Sequence, residues 1–316
     1  MSVAEGRSEA TRESMLPKHV TIREVCLRDG LQIEQPITLA AKLELLEAVV
    51  ATGVREIEAT AFVSPSKVPA LADAAALAAE LPRFRQLHGV EFSALVASPG
   101  GAGRAVAAGM GSLEYVVSAA DGHSQANVGR STAESTDLIA DITRIAHEHD
   151  ATIEVIIATA WDCPFDGPTD PQRVLDIAIA AFELGADRIA IADTIGTTTP
   201  RRVTDLVNRV RPRIGELPLG AHFHNTRGTG LASAYAAVSA GVTRLDSSVG
   251  GLGGCPFAPG ASGNIATEDL VYMLRDSGIG VDVDLQAAIR AADVARKAVG
   301  HDLPSALLRA GDRILS

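Results

Sequence analysis

Eight short apolar runs, each followed by a longer stretch with helical spacing, constrain this chain more than any other feature. The runs are Val20–Leu27, Arg55–Ala61, Glu91–Ala97, Leu113–Ala119, Thr152–Thr159, Arg188–Asp193, Leu219–His224 and Arg244–Val249. Between them lie Ala- and Leu-rich stretches such as Leu39–Thr52, Thr132–His149, Pro171–Leu184, Pro200–Arg213 and Gly230–Ala240. Their spacing predicts strand followed by helix each time. Glycines at Gly53, Gly185 and Gly241 end three of these helices just before the next run, where a left-handed residue is needed. Eight such alternations without a linker predict one closed (β/α)8 TIM barrel over residues 19–316. An open doubly wound sheet is the rival, but no dinucleotide fingerprint follows the first run. From about residue 282 the chain adds one or two further helices, and residues 1–18 read as a polar tail.

Composition bounds the partners. A hydrophobic share of 47% is ample for a large core, and with only 3% aromatic residues that core is expected to be built from Ala, Val, Leu and Ile. The formal net charge of −11 argues against nucleic acid or an anionic membrane as the main partner. Three cysteines, Cys26, Cys163 and Cys255, give no disulfide framework. With no signal-like or membrane-spanning run, a soluble cytoplasmic protein is expected.

Polar residues gather at the C-terminal ends of the runs, where barrel enzymes keep their chemistry. Arg28 and Asp29 end the first run, Glu58 is late in the second, and Asp121 and His123 follow the fourth. Asp193 ends the sixth, and His222 and His224 end the seventh. Two histidines two residues apart on a strand point to the same face. In a closed barrel, strands seven, eight and one are neighbours, so Asp29 can join both histidines around one ion. Asn264, from the loop after strand eight, could add a carbonyl oxygen. Two imidazoles, a carboxylate and an amide leave positions open on a six-coordinate ion, which suits Mg²⁺ or Mn²⁺ better than structural zinc. A His-x-His pair alone is more often two hydrogen-bonded strand histidines, so the inference rests on all four residues.

The segment Gly250–Asn264 is rich in glycine and carries two prolines around Cys255. A cysteine in such a loop is poorly placed for packing and well placed as an acid or nucleophile that enters when a site closes. Cys26, embedded in the first run, reads instead as a buried, inert thiol.

Five segments together resemble the HMG-CoA lyases of the DRE-TIM metallolyase superfamily. They are Glu24–Gln32, Ile57–Pro65, Asp193–Gly196, His222–His224 and the run from Gly251 through Met273. The last is highly specific, and the likeness spans about residues 20–280. The resemblance implies a divalent cation on Asp29, His222, His224 and Asn264, and an acyl-CoA thioester as substrate. It implies that Arg28 stabilises an enolate oxygen, that Cys255 assists protonation, and that Glu58 and Asp193 belong to the active site. Asp29, Glu58 and His222 are all candidate bases for the substrate hydroxyl. Gln32, Asn127 and Arg130 are candidate substrate contacts beside Arg28. A homodimer is implied by the resemblance alone.

The chain departs from the family pattern near the expected acyl and CoA positions. Asn225 follows the second histidine where an aspartate is usual, Ser66-Lys67 replaces a Lys-Trp pair, and Ala61 replaces a hydroxyl residue. The segment Asp121–Ser131 adds His123 and Arg130, for CoA phosphates or a different acyl tail. Three alternatives follow: a lyase for another branched thioester such as citramalyl-CoA, a Claisen-type synthase, and a non-catalytic acyl-CoA- or metal-binding paralogue. Leu31, where synthases carry glutamate, and the cysteine loop oppose the synthase. Retention of Arg28 and Cys255 together opposes the paralogue.

Overall fold

The computed structural model describes residues 16–254 and 263–313. Eight parallel strands close into a barrel: β1 (Thr21–Glu24), β2 (Glu56–Phe62), β3 (Glu91–Val96), β4 (Ser112–Ser118), β5 (Thr152–Ala158), β6 (Arg188–Asp193), β7 (Leu219–Phe223) and β8 (Arg244–Ser247). Each pairs with the next, and β8 returns to β1 in the register Thr21↔Arg244 to Glu24↔Ser247. Eleven α-helices among the described residues surround it: α1 (Leu39–Val50), α2 (Ala74–His88), α3 (Pro99–Ala107), α4 (Asp121–Val128), α5 (Thr132–His147), α6 (Pro171–Glu183), α7 (Pro200–Val210), α8 (Gly230–Ser239), α9 (Thr267–Asp276), α10 (Leu285–Val299) and α11 (Ala306–Ala310). The expected TIM barrel with C-terminal helices is therefore present. No helix among the described residues is long and apolar enough to cross a membrane.

Aliphatic residues fill the shell between strands and helices. Leu45, Leu46 and Val49 of α1, Ile139 and Ile142 of α5, and Val203 and Val207 of α7 are fully buried with Leu113, Val155 and Ile189 of the strands. Burying each such side chain stabilises the fold by roughly 1.5–3 kcal/mol. Several helices start on side-chain caps that satisfy otherwise orphaned N–H groups. Thr38 caps α1, Asp170 caps α6, and Ser131 forms a reciprocal box with Glu134 at α5.

The inside of the barrel is different. Arg23 of β1 reaches across the lumen to Glu114 of β4 at 2.5 Å, to Glu154 of β5, and to Asp246 of β8 at 2.6 Å. Arg244 binds Glu154 and Glu56. A charged residue in mid-strand has only the lumen in which to find so many partners. Nearer the mouth, Val116, Ile156, Ala190 and Ala192 form a small apolar layer.

Two sequence expectations need correction. The run Val20–Leu27 is not one strand, because β1 stops at Glu24 and Cys26–Gly30 forms a wide turn closed by Gly30 N–H to the Val25 carbonyl at 3.1 Å. The Glu24 carboxylate accepts the Cys26 N–H at 3.0 Å, replacing the ladder bond that strand continuation would have supplied. Cys26 and Asp29 thus lie in a turn, and Cys26 is fully buried. β7 ends at Phe223, and His224 instead forms an isolated bridge with Asn264. The stretch after β4 is helical, and Asp166 Oδ2 caps α4 through Gly122 N–H at 2.7 Å.

Candidate active site

The turn Cys26–Gly30, the end of β7 and the stem of the glycine-rich segment meet on the seam where β8 joins β1. His222 and Asp246 are register partners on β7 and β8, and Asp246 is the register partner of Arg23 on β1. This alignment carries Asp29, His222 and His224 together, with a ligand atom from each within 4.8 Å of the other two, all three buried. The two imidazole centroids are 5.0 Å apart.

Asn264 completes the group. Its amide nitrogen donates to Asp29 Oδ2 at 2.8 Å and to the Leu252 carbonyl at 3.0 Å. Both partners only accept, so the amide cannot be turned round, and Asn264 Oδ1 is left buried without a partner among the described residues. Among the described residues neither ring nitrogen of His224 has a hydrogen-bond partner, and its Nε2 stands 3.6 Å from Asp29 Oδ2, longer than a hydrogen bond. Orphaned buried lone pairs are costly. Here they converge beside a carboxylate, which is the donor set a hard or borderline divalent cation takes.

Arg28 extends the cluster sideways. Its Nη1 donates to Asp29 Oδ1 at 2.6 Å, and its Nε lies 2.5 Å from Glu58 Oε1. Gln32, expected as a substrate contact, donates to Asp29 Oδ1 at 3.1 Å and so holds this carboxylate. Burial alone would raise the Asp29 pKa, but the Arg28 guanidinium together with His224 and His222 outweighs it and holds the carboxyl well below its usual range. Burial dominates at Glu58, with Arg28 opposing and Glu114 adding repulsion, and its pKa rises well above the ordinary value. Asp193 is also raised by burial, although the Thr197 and Thr198 N–H groups bind its charged form.

The remaining candidates divide. His123 is buried under the mouth with Nδ1 3.1 Å from Ser118 Oγ, and burial pushes its pKa down to about 4. Arg130 donates to the Ala97 carbonyl past the end of β3, and Asn127 is exposed on the last turn of α4. Asn225 caps α8 by accepting Gly230 N–H at 3.0 Å. Cys255 lies outside the described residues.

Sequence reasoning passed over Glu24, Glu268, Arg23 and Asp246. Glu24 ties the Cys26 and Val249 N–H groups to the Thr267 hydroxyl, and Glu268 receives the Gly250 N–H, so both brace the stem that presents Asn264. A charge at the centre of an apolar run was the available signal for Arg23 and Asp246.

A parallel barrel with acid, imidazole and guanidinium groups converging at its C-terminal mouth has the layout of a barrel enzyme. The HMGL-like family description matches residues 19–295. A hydroxymethylglutaryl-CoA lyase of Bacillus subtilis is 37% identical over 291 residues, covering 92% of this chain and 96% of that one. An (R)-citramalyl-CoA lyase of Chloroflexus aurantiacus is 39% identical, covering 92% and 95%. The structure of an HMG-CoA lyase from Acinetobacter baumannii, in complex with coenzyme A and 3-methylmalate, superposes with a TM-score of 0.88 at 36% identity, over 95% of this chain and 98% of that one. The chain belongs to the HMGL-like family, and its enzyme class is that of the carbon–carbon lyases.

Proposed function

We propose that the protein is a divalent-metal-dependent lyase that splits 3-hydroxy-3-methylglutaryl-CoA, or a close branched analogue, into acetyl-CoA and a keto acid. The carrying observation is the buried Asp29–His222–His224 cluster, in which both ring nitrogens of His224 and Asn264 Oδ1 lack a hydrogen-bond partner among the described residues. These residues, with Asn264, would hold Mg²⁺ or Mn²⁺. When bound, the cation supplies Lewis-acid polarisation of the substrate's hydroxyl and carboxylate oxygens.

The chain's own residues do the rest. Asp29, held ionised by Arg28, is suited to be a charged ligand and poorly suited to keep a proton. Glu58 and Asp193 are weakened as acids by burial and are better placed to accept the proton of the C3 hydroxyl. As the C2–C3 bond breaks toward the thioester, the Arg28 guanidinium stabilises the enolate oxygen. Cys255 returns a proton to the acetyl carbon. The acyl-CoA partner is supported by the similarity to lyases named for such thioesters.

Release of acetyl-CoA and acetoacetate from HMG-CoA, abolished by a chelator and restored by Mn²⁺, is the expected result. The 39% identity to a citramalyl-CoA lyase makes that thioester the second substrate to try. Inactivity on both, with metal bound, would sink the lyase reading.

A further inference from the structure

We propose that Asp246 is a positioning residue for the candidate cation site: it keeps the proton of His222 on Nδ1, so that Nε2 offers its lone pair at the mouth. The inference rests on the metal reading above and concerns a residue that is not itself one of the four ligands. Asp246 Oδ2 is 3.1 Å from His222 Nδ1. The carboxylate is in turn gripped by Arg23, which donates from Nε to Oδ1 at 2.8 Å and from Nη2 to Oδ2 at 2.6 Å. A carboxylate held by a guanidinium can only accept, so Nδ1 must be the donor, and a neutral imidazole then has its lone pair on Nε2. Such a partner also fixes the ring's orientation and makes the other nitrogen a better ligand.

The strand register makes the arrangement rigid. Arg23, Asp246 and His222 occupy one row across β1, β8 and β7. All three are buried, and Arg23 is anchored from the far wall by Glu114 and Glu154. The lumen charges therefore orient a ligand at the mouth as well as filling the barrel.

Asp246→Asn tests this directly. The amide has no charge and only one accepting oxygen for the Arg23 donors and the His222 Nδ1 proton, which the carboxylate receives on two, so the tautomer and orientation of His222 are no longer fixed. Titration of metal-free protein with Mn²⁺, read by electron paramagnetic resonance, is expected to show affinity about 10- to 100-fold weaker than wild type. Glu56→Gln removes a barrel carboxylate that pairs with Arg244 and Arg188 but with neither Arg23 nor His222, and its Mn²⁺ affinity is expected to be unchanged. Equal losses in both variants would mean that only the lumen's overall charge matters, and would overturn the proposal. So would wild-type affinity in Asp246→Asn. If wild type itself binds no Mn²⁺, the metal reading fails and takes this one with it. Should either variant not fold, ¹⁵N spectra of the wild-type imidazoles decide: a proton on His222 Nδ1 supports the proposal, and one on Nε2 overturns it.

Discussion

At the scale of single residues, the role proposed for Arg28 is the most separable. It touches Asp29 and Glu58 but offers no lone pair, so it cannot be a ligand. Arg28→Gln should therefore lower kcat by about 10²–10³-fold, as loss of an oxyanion donor does, while Mn²⁺ is still bound. Near-normal turnover in the metal-replete variant would remove it from the chemistry. The contrast with Asp246 is instructive. Arg28 and Asp29 could be picked out because they sit at a run's end among glycine and polar residues. Asp246 looks like one charge in a strand, and its purpose exists only once β7, β8 and β1 are in register.

At the scale of elements, the stem of the glycine-rich segment is the tightest part of the site. A Cβ on Gly263 would lie 2.2 Å from the Gly253 carbonyl oxygen and 2.6 Å from that of Gly251, both backbone atoms with nowhere to move. Gly263→Ala should cost on the order of 1–3 kcal/mol and displace the neighbouring Asn264. Lower thermal stability together with weaker Mn²⁺ binding is expected; wild-type values for both would show that the stem yields. The strand–helix alternation was legible because period-2 and period-3.6 patterns are local. The early end of β1 was not, because it depends on the Glu24 carboxylate and on Ser247, which takes Val25 N–H at 2.9 Å from the other end of the chain. The convergence of His222 and His224 on Asp29 was legible from spacing, whereas Gln32 as a brace for Asp29 depends on how the turn folds.

At the scale of the whole molecule, buried carboxyls set the response to pH. Burial raises Glu24 and Glu268 to about 7, against hydrogen bonds that favour their charged forms. A folded-state pKa above the unfolded value means the native protein holds protons that the unfolded chain has released. Stability is then greatest below about pH 4.5 for these groups and falls as pH rises through 7. Asp29 and Asp246 act oppositely, because their ion pairs lower them despite burial, and they withdraw support only as pH falls below the ordinary aspartate range. The urea midpoint of the metal-free protein should decline by a few kcal/mol equivalent from pH 5 to 8, each raised glutamate contributing on the order of 3 kcal/mol. Glu24→Gln should flatten part of that decline; a flat wild-type profile would contradict the argument.

The seam between β8 and β1 has one more consequence. Asp29 and Asn264, which touch there, are separated by 235 positions along the chain. Nothing resembling the site exists in a growing or partly folded chain until the last strand has found the first. A cation that binds only the closed seam would act as a latch on the finished barrel, rewarding one of the long-range contacts on which its closure depends.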